Sequence, residues 1–149
     1  MSRIIQDDGV IFALSDKFLI KMHERTIEIL NRFSKSLTET ENRFNDLINN
    51  YDGFERLEPM LHFIIALKAK GEDKYFRLGT SMHTLVISRS VNHGLRHDQK
   101  HLKIDAIDLN DFEVVFQDGD KVYREYRIKS LDDIKLVNLL QTLKRALID

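Results

Sequence analysis

Three of the six histidines lie close together, at positions 93, 97 and 101, and basic residues surround them. Imidazoles at a spacing of four would bind zinc or nickel if this segment were helical. Gly94 and the alternating pattern that follows instead favour a turn and a strand, so we expect no metal site. In such a turn, arginine, lysine and histidine side chains are suited to hold a phosphate or a carboxylate.

The same residues offer a catalytic alternative, because histidine beside aspartate is an acid–base pair and arginine stabilises phosphoryl charge. His83 or His97 with Asp98 would supply the acid and the base, and Arg89 or Arg96 the positive charge. The chain contains no P-loop, G-x-S-x-G, H-E-x-x-H, EF-hand or dinucleotide-binding glycine motif. The sequence therefore favours a protein that is not an enzyme and that uses no cofactor.

A formal net charge of −1 conceals a strong segregation of charge along the chain. Residues 89–103 carry four basic residues and one acid, residues 104–120 carry six acids and no Lys or Arg, and residues 39–58 carry six acids and two arginines. Opposite charges on separate surfaces guide a protein partner into register. The predicted partner- or anion-binding set is Arg89, His93, Arg96, His97, Lys100, His101 and Lys103, and the predicted acidic surface is Asp105, Asp108, Asp111, Glu113, Asp118 and Asp120.

The alternative function is nucleic-acid binding, or metal-dependent processing of nucleic acid, through the basic turn at residues 89–103. RNA recognition usually also needs exposed aromatic rings, for which Tyr75 or Tyr123 would have to serve. Asp118 and Asp120 would hold Mg²⁺ in a nuclease, but Asp-Gly-Asp is equally a tight-turn sequence. We therefore expect a non-enzymatic protein-interaction domain, similar in kind to inhibitors, immunity proteins or adaptors.

Length and composition predict one globular domain over residues 1–149. The chain has a mass of 17.6 kDa and is 42% hydrophobic and 32% charged. It has no cysteine, which excludes disulfides, thiol catalysis and cysteine-bound zinc. No apolar stretch approaches the roughly 20 residues that cross a bilayer. The apolar run at residues 10–14 is short and follows two aspartates, so it does not resemble a secretory leader, and we expect a cytoplasmic protein with no membrane partner.

Apolar residues recur at steps of three and four through a predicted helical segment, residues 15–51, with Ser15 as its N-cap. One helix of that length would be about 50 Å long, more than the roughly 40 Å diameter of the domain. The helix therefore either breaks at residues 34–36, where Ser36 and Glu39 form a capping box, or projects and packs on a second copy. The predicted self-association residues for a homodimer are Leu30, Phe33, Leu37, Phe44 and Leu47.

Alternation after Gly53 predicts an antiparallel sheet of about six strands over residues 60–128. Residues 61–69 and 74–79 read as a hairpin, although Pro59 could instead start a short helix. Residues 82–91 and 99–108 read as further strands, and residues 112–128 as a hairpin that turns at Asp118-Gly119. A helix over residues 130–148, with Ser130 as N-cap, packs its wide apolar face on the sheet. The order of elements is that of an α+β fold.

Overall fold

The computed structural model describes residues 9–92 and 98–148, and its order of elements is α+β, as predicted. The helices are α1 (Gly9–Asn50), α2 (Glu58–Ala69) and α3 (Ile134–Lys144). The strands are β1 (Arg77–Ser81), β2 (Thr84–Ser88), β3 (Lys100–Asp108), β4 (Asp111–Asp118) and β5 (Lys121–Ile128). In the described part of the chain, no helix combines the length and apolarity that crossing a bilayer requires.

Helix α1 runs without interruption for 42 residues, which decides between the one-helix and two-helix interpretations. Residues 9–14 already belong to it, so the prediction of an N-cap at Ser15 is wrong. Ser36 does not cap a second helix either. Its hydroxyl donates to the Phe33 carbonyl at 2.6 Å and accepts from the Leu78 amide at 3.0 Å, which attaches β1 to the middle of α1.

The five strands form one antiparallel sheet in the order of the chain, β1-β2-β3-β4-β5. Successive residues of a strand point to opposite faces, and the register places apolar residues side by side on one of them. Ile87, Leu102 and Phe116 share one line across the sheet. All three belong to the core cluster with residues from the second half of α1, from α2 and from α3. The helices therefore pack on this face, which we call the inner face.

The prediction of a strand at residues 61–69 is wrong, because these residues belong to α2. Pro59 occupies the first turn, as the helical alternative required, and Met60, Ile64 and Leu67 are buried at steps of four and three. A short, almost wholly apolar run has no clear period, so sequence alone does not separate a buried helix from a buried strand. This helix accounts for five strands in place of about six.

The N-terminus of α3 lies later than predicted. Asp133, not Ser130, is the N-cap, and its carboxylate accepts a hydrogen bond of 2.8 Å from the Lys135 amide. The buried face of α3 consists of Leu136, Leu139, Leu140 and Leu143. Leu147, which the predicted stripe included, lies beyond the helix and is 89% exposed.

The second half of α1 supplies a large part of the core, and a truncation there tests its weight. Phe44 is fully buried, so Phe44→Ala is expected to lower the free energy of unfolding by about 3–5 kcal/mol. The matched control, Leu147→Ala, is expected to change it by less than about 0.5 kcal/mol. Urea denaturation at low protein concentration measures both values. Equal losses for the two variants would contradict this account of the core.

Candidate interaction surface

Most side chains described over residues 17–32 of α1 are exposed, whereas the later part of the helix buries one face. Residues 17–32, which we call the arm, precede Phe33, the first fully buried side chain among those that the structure describes in this helix. We call residues 33–92 and 98–148 the body. Large apolar side chains of the arm face solvent: Leu19 is 62% exposed, Ile20 51%, Met22 52%, Ile27 45% and Leu30 36%.

The exposed apolar residues of the arm extend the stripe that the body buries. Leu19, Met22, Thr26 and Leu30 follow steps of three and four that lead directly into Phe33 and Leu37. Both of the latter residues are fully buried. The arm therefore presents the same face of the helix that, one turn later, forms the core. A helix with one apolar face normally buries that face against another element.

Polar contacts fix the base of the arm. Arg32 donates to the Asn92 side-chain oxygen at 2.7 Å and to the Glu28 carboxylate at 2.6 Å. The first of these bonds links α1 to the segment after β2, and the second adds an ion pair along the helix surface. The direction of the arm is thereby tied to the body at the point where the two meet.

The predicted self-association residues divide between the arm and the core. Phe33, Leu37, Phe44 and Leu47 are buried within the chain itself, and only Leu30 lies on the arm. The exposed residues that the sequence-based set lacked are Leu19, Ile20, Met22 and Ile27. Two observations pointed to them: the stripe begins at Leu19, and one continuous helix is longer than the domain.

The described members of the predicted basic set do not form one surface. Alternation along the strands assigns Arg89 and Lys100 to the inner face. It assigns His101 and Lys103 to the opposite face, which we call the outer face. His101 is fully buried, with its Nδ1 atom 2.8 Å from the Gln99 carbonyl oxygen. His93, Arg96 and His97 lie outside the described residues.

Two partly buried arginines hold the main chain in place. Arg89 donates to the carbonyl of Lys144, the last residue of α3, where a cation also complements the helix dipole. Arg77 donates to the carbonyls of Ser90 and Val91. Burial lowers the pKa of each guanidinium, and Arg32 lowers that of Arg77 further while Glu39 opposes the shift. These contacts give both side chains a structural role.

The predicted acidic residues lie on β3, on β4 and in the turn that follows β4. Asp105 accepts a hydrogen bond from the Thr84 hydroxyl, and Asp118 lies opposite Lys100 in the register. Glu113 lies between Asp105 and Arg127 on one line of the sheet. Asp108 accepts from the Leu109 amide, whereas Asp120 is exposed in the turn between β4 and β5.

Asp111 has the strongest pairing in the acidic set. Arg127 donates to its two carboxylate oxygens at 2.7 and 3.0 Å. These hydrogen bonds hold the pKa of the Asp111 carboxyl below its ordinary value. Asp105 lies opposite Glu113 and Asp108 opposite Asp111 in the register, so four of the six acids share the outer face of the sheet, where Arg127 pairs with one of them.

The candidate catalytic residues are spread over the fold. His83 lies in the turn between β1 and β2, where its ring packs against Phe54 with 4.8 Å between centroids. Arg89 follows the opposite end of β2, and Asp98 precedes β3. Across residues 9–92 and 98–148, no group of three or more histidine or acidic side chains is placed to hold a metal ion.

The body also has concave regions, of which two adjoin its helices. A polar cleft of about 220 Å³ lies between α1 and the segment after β2, with Arg32, Lys35 and Arg77 among its lining residues. Glu28 pairs with Arg32 at 2.6 Å and Glu39 with Lys35 at 3.7 Å. These two ion pairs neutralise most of the positive charge of the cleft. A second groove, of about 410 Å³, lies between α2 and α3.

The Asp111–Arg127 pair gives a prediction about pH. Because Arg127 depresses the folded-state pKa of Asp111, the pair stabilises the fold above the unfolded-state pKa, about 3.9. That stabilisation is lost as the pH falls through the folded-state value. In an NMR titration of the carboxyl carbon, Arg127→Ala is expected to raise the Asp111 midpoint. Arg124→Ala, on the same strand, is the control and should leave it unchanged. A midpoint insensitive to Arg127→Ala would contradict the assignment.

Comparisons with known proteins identify no relative of the arm or of the body. No protein-family model, no curated protein and no solved structure matches this chain.

Proposed function

We propose that this chain is a non-enzymatic protein-interaction domain whose binding element is the arm. The observation that carries the proposal is the exposed apolar face of residues 17–32, in line with the buried stripe of the same helix. Soluble proteins rarely leave a contiguous apolar patch in water unless another molecule covers it. The proposal keeps the function class that the sequence predicts and moves the binding surface from the charged blocks to α1.

The form of the arm defines the chemistry of its partner. Leu19, Met22 and Leu30 present the spacing with which one amphipathic helix packs on another or enters an apolar groove. The arm has a net charge of +2. Its basic residues are Lys17, Lys21, Arg25 and Arg32, and its acidic residues are Glu24 and Glu28. A partner helix with an apolar stripe flanked by acidic side chains therefore fits this surface.

The body supports this role because it holds α1 from one end. Phe33, Leu37 and Phe44 anchor the second half of the helix in the core, and Arg32 bonds to Asn92 at the base of the arm. A helix that continues from a buried half does not require a new nucleation step, which is the costly part of helix formation. The arm is therefore presented as a helix before binding, which reduces the entropy lost on association.

A nucleic-acid surface has less support. Among the residues that the structure describes, the basic set is divided between the two faces of the sheet, and His101 is buried. Sequence-independent binding to nucleic acid requires several cations on one accessible surface. We therefore propose no second function.

The proposal predicts that charged substitutions on the arm abolish binding without unfolding the body. The double variant Leu19→Glu/Ile27→Glu changes two exposed sites. Its melting temperature at low protein concentration is therefore expected to stay within a few degrees of the wild-type value. Retention of the bound partner is expected to fall at least about tenfold, since 1.4 kcal/mol already changes affinity by that factor. Tagged protein is incubated with lysate of cells that naturally express the chain, cross-linked, and its adducts are identified by mass.

A matched control places the same charges on the body. Ile107→Glu with Val122→Glu changes two side chains that are 48% and 50% exposed, and should retain the partner. Adducts that are identical for the wild type and the arm variant would refute the proposed function. A discrete adduct lost only in the arm variant supports it, whether the adduct is a second copy or another protein.

A further inference from the structure

We propose that the cleft between α1 and the segment after β2 is a binding site for a phosphate group, either free or on a small monoester. The cleft has a volume of about 220 Å³, and its lining brings together the cations Arg32, Lys35 and Arg77. This inference goes beyond the proposed function, because it concerns a small anion at the base of the arm and not a protein partner on the apolar face.

Regular elements hold the three cations of the cleft. Arg32 and Lys35 are three positions apart on α1, so they are neighbours on one side of the helix. Arg77 is the first residue of β1, and the 3.0 Å hydrogen bond from the Leu78 amide to the Ser36 hydroxyl holds that strand at this level of α1. The cations are therefore brought together by the fold itself, which lowers the cost of ordering a site for a ligand.

The charge of Arg77 is not balanced by a partner. Its Nη1 atom donates to the carbonyls of Ser90 and Val91, which carry no net charge. Burial lowers the pKa of this guanidinium, the positive charge of Arg32 lowers it further, and Glu39 opposes the shift. Across residues 9–92 and 98–148, no carboxylate forms an ion pair with Arg77. The fold therefore places this cation near another cation without a direct counter-charge.

Arg77 also has a donor that the described residues leave unsatisfied. Its Nε atom is buried and has no hydrogen-bond partner among them. Buried donors in proteins are nearly always satisfied by protein, by water or by a bound ion. A guanidinium presents its donors as a planar fork that matches two oxygens of an oxyanion. Because the main chain engages Nη1, the Nε side of the fork is the part that remains for an anion in the cleft.

The acidic residues at the cleft leave it with a positive charge. Arg32, Lys35 and Arg77 against Glu28 and Glu39 give three positive and two negative charges, a net of +1. The Lys35–Glu39 pair is long, at 3.7 Å, and its side chains are 78% and 66% exposed. Exposed ion pairs of this kind contribute little free energy, so an anion can take over Lys35 at small cost.

The arrangement of the cations favours phosphate over carboxylate. A carboxylate is planar and presents its two oxygens to one guanidinium fork, whereas a tetrahedral phosphate also directs oxygens toward donors on other sides. Phosphate is therefore the group that accepts from Arg32, Lys35 and Arg77 together. The volume of about 220 Å³ is below the roughly 300–1,000 Å³ of sites for drug-sized ligands, so the ligand is small.

Titration with inorganic phosphate tests the site through the Nε–H signal of Arg77 in ¹H–¹⁵N NMR spectra. Sodium chloride keeps the ionic strength constant, because salt screens exposed charges. We expect a saturable shift with a dissociation constant of about 10 mM or lower. Glycerol phosphate is titrated in parallel: tighter binding than inorganic phosphate identifies a monoester as the ligand, and weaker binding identifies free phosphate. Acetate that binds more tightly than both would overturn the assignment to phosphate.

A pair of lysine variants separates a site from general charge attraction. Lys35→Gln removes a cation of the cleft at an exposed position, and we expect it to raise the dissociation constant for phosphate at least about threefold. Lys17→Gln removes the same charge from an exposed position on the arm and should leave the constant within about 1.5-fold of wild type. Equal weakening by both variants, or no saturable shift of the Arg77 signal, overturns the inference. Neither result bears on the proposed function, which the arm variant tests by capture of a protein.

Discussion

The rest of the structure depends on the burial of one stripe of α1 against β1 and α2. Phe33, Leu37 and Phe44 are fully buried in the part of the helix that carries this stripe. Without that contact, β1 and α2 would both lose the helix on which they pack. The helix is much longer than this contact. The same stripe therefore organises the core in one half of α1 and remains available for association in the other.

The sheet determines which members of a charge block in the sequence share a surface. A strand sends alternate residues to opposite faces, so a linear run of like charges is divided in two. Antiparallel pairing then brings a different part of the chain alongside, as when Lys100 meets Asp118 and Arg127 meets Asp111. The register also places Asp105 opposite Glu113, so the neighbours of each charge are set by strand pairing and not by the linear sequence.

Much of the fold could be predicted because its local signals agree with one another. Alternation and the turn at Asp118-Gly119 identified the β4–β5 hairpin, in which Gly119 has a φ of +59°. The helix at residues 58–69 was missed because its apolar residues are nearly continuous, and only Pro59 favoured the helix. The N-cap of α3 was misplaced because Ser130 and Asp133 both suit that position, and only the hydrogen bond from the Lys135 amide distinguishes them. The arm was only partly identified, since periodicity shows a stripe but not where the body ends along it.

A single hydrogen bond of Ser36 determines where the body ends along α1. Its sequence context favoured a new helix start, because serine commonly caps helices. In the fold, its hydroxyl instead accepts from the Leu78 amide at 3.0 Å, which holds the edge strand β1 against the middle of α1. Water would hydrate an exposed serine at little cost. Because Ser36 is buried, its hydroxyl and the Leu78 amide satisfy each other where water does not reach them. The sheet is thus fixed to α1 at a defined level, and residues 17–32, which precede this junction, extend beyond the core. The position of β1 on the helix, and not the helix sequence alone, sets the length of apolar surface that remains open to a partner.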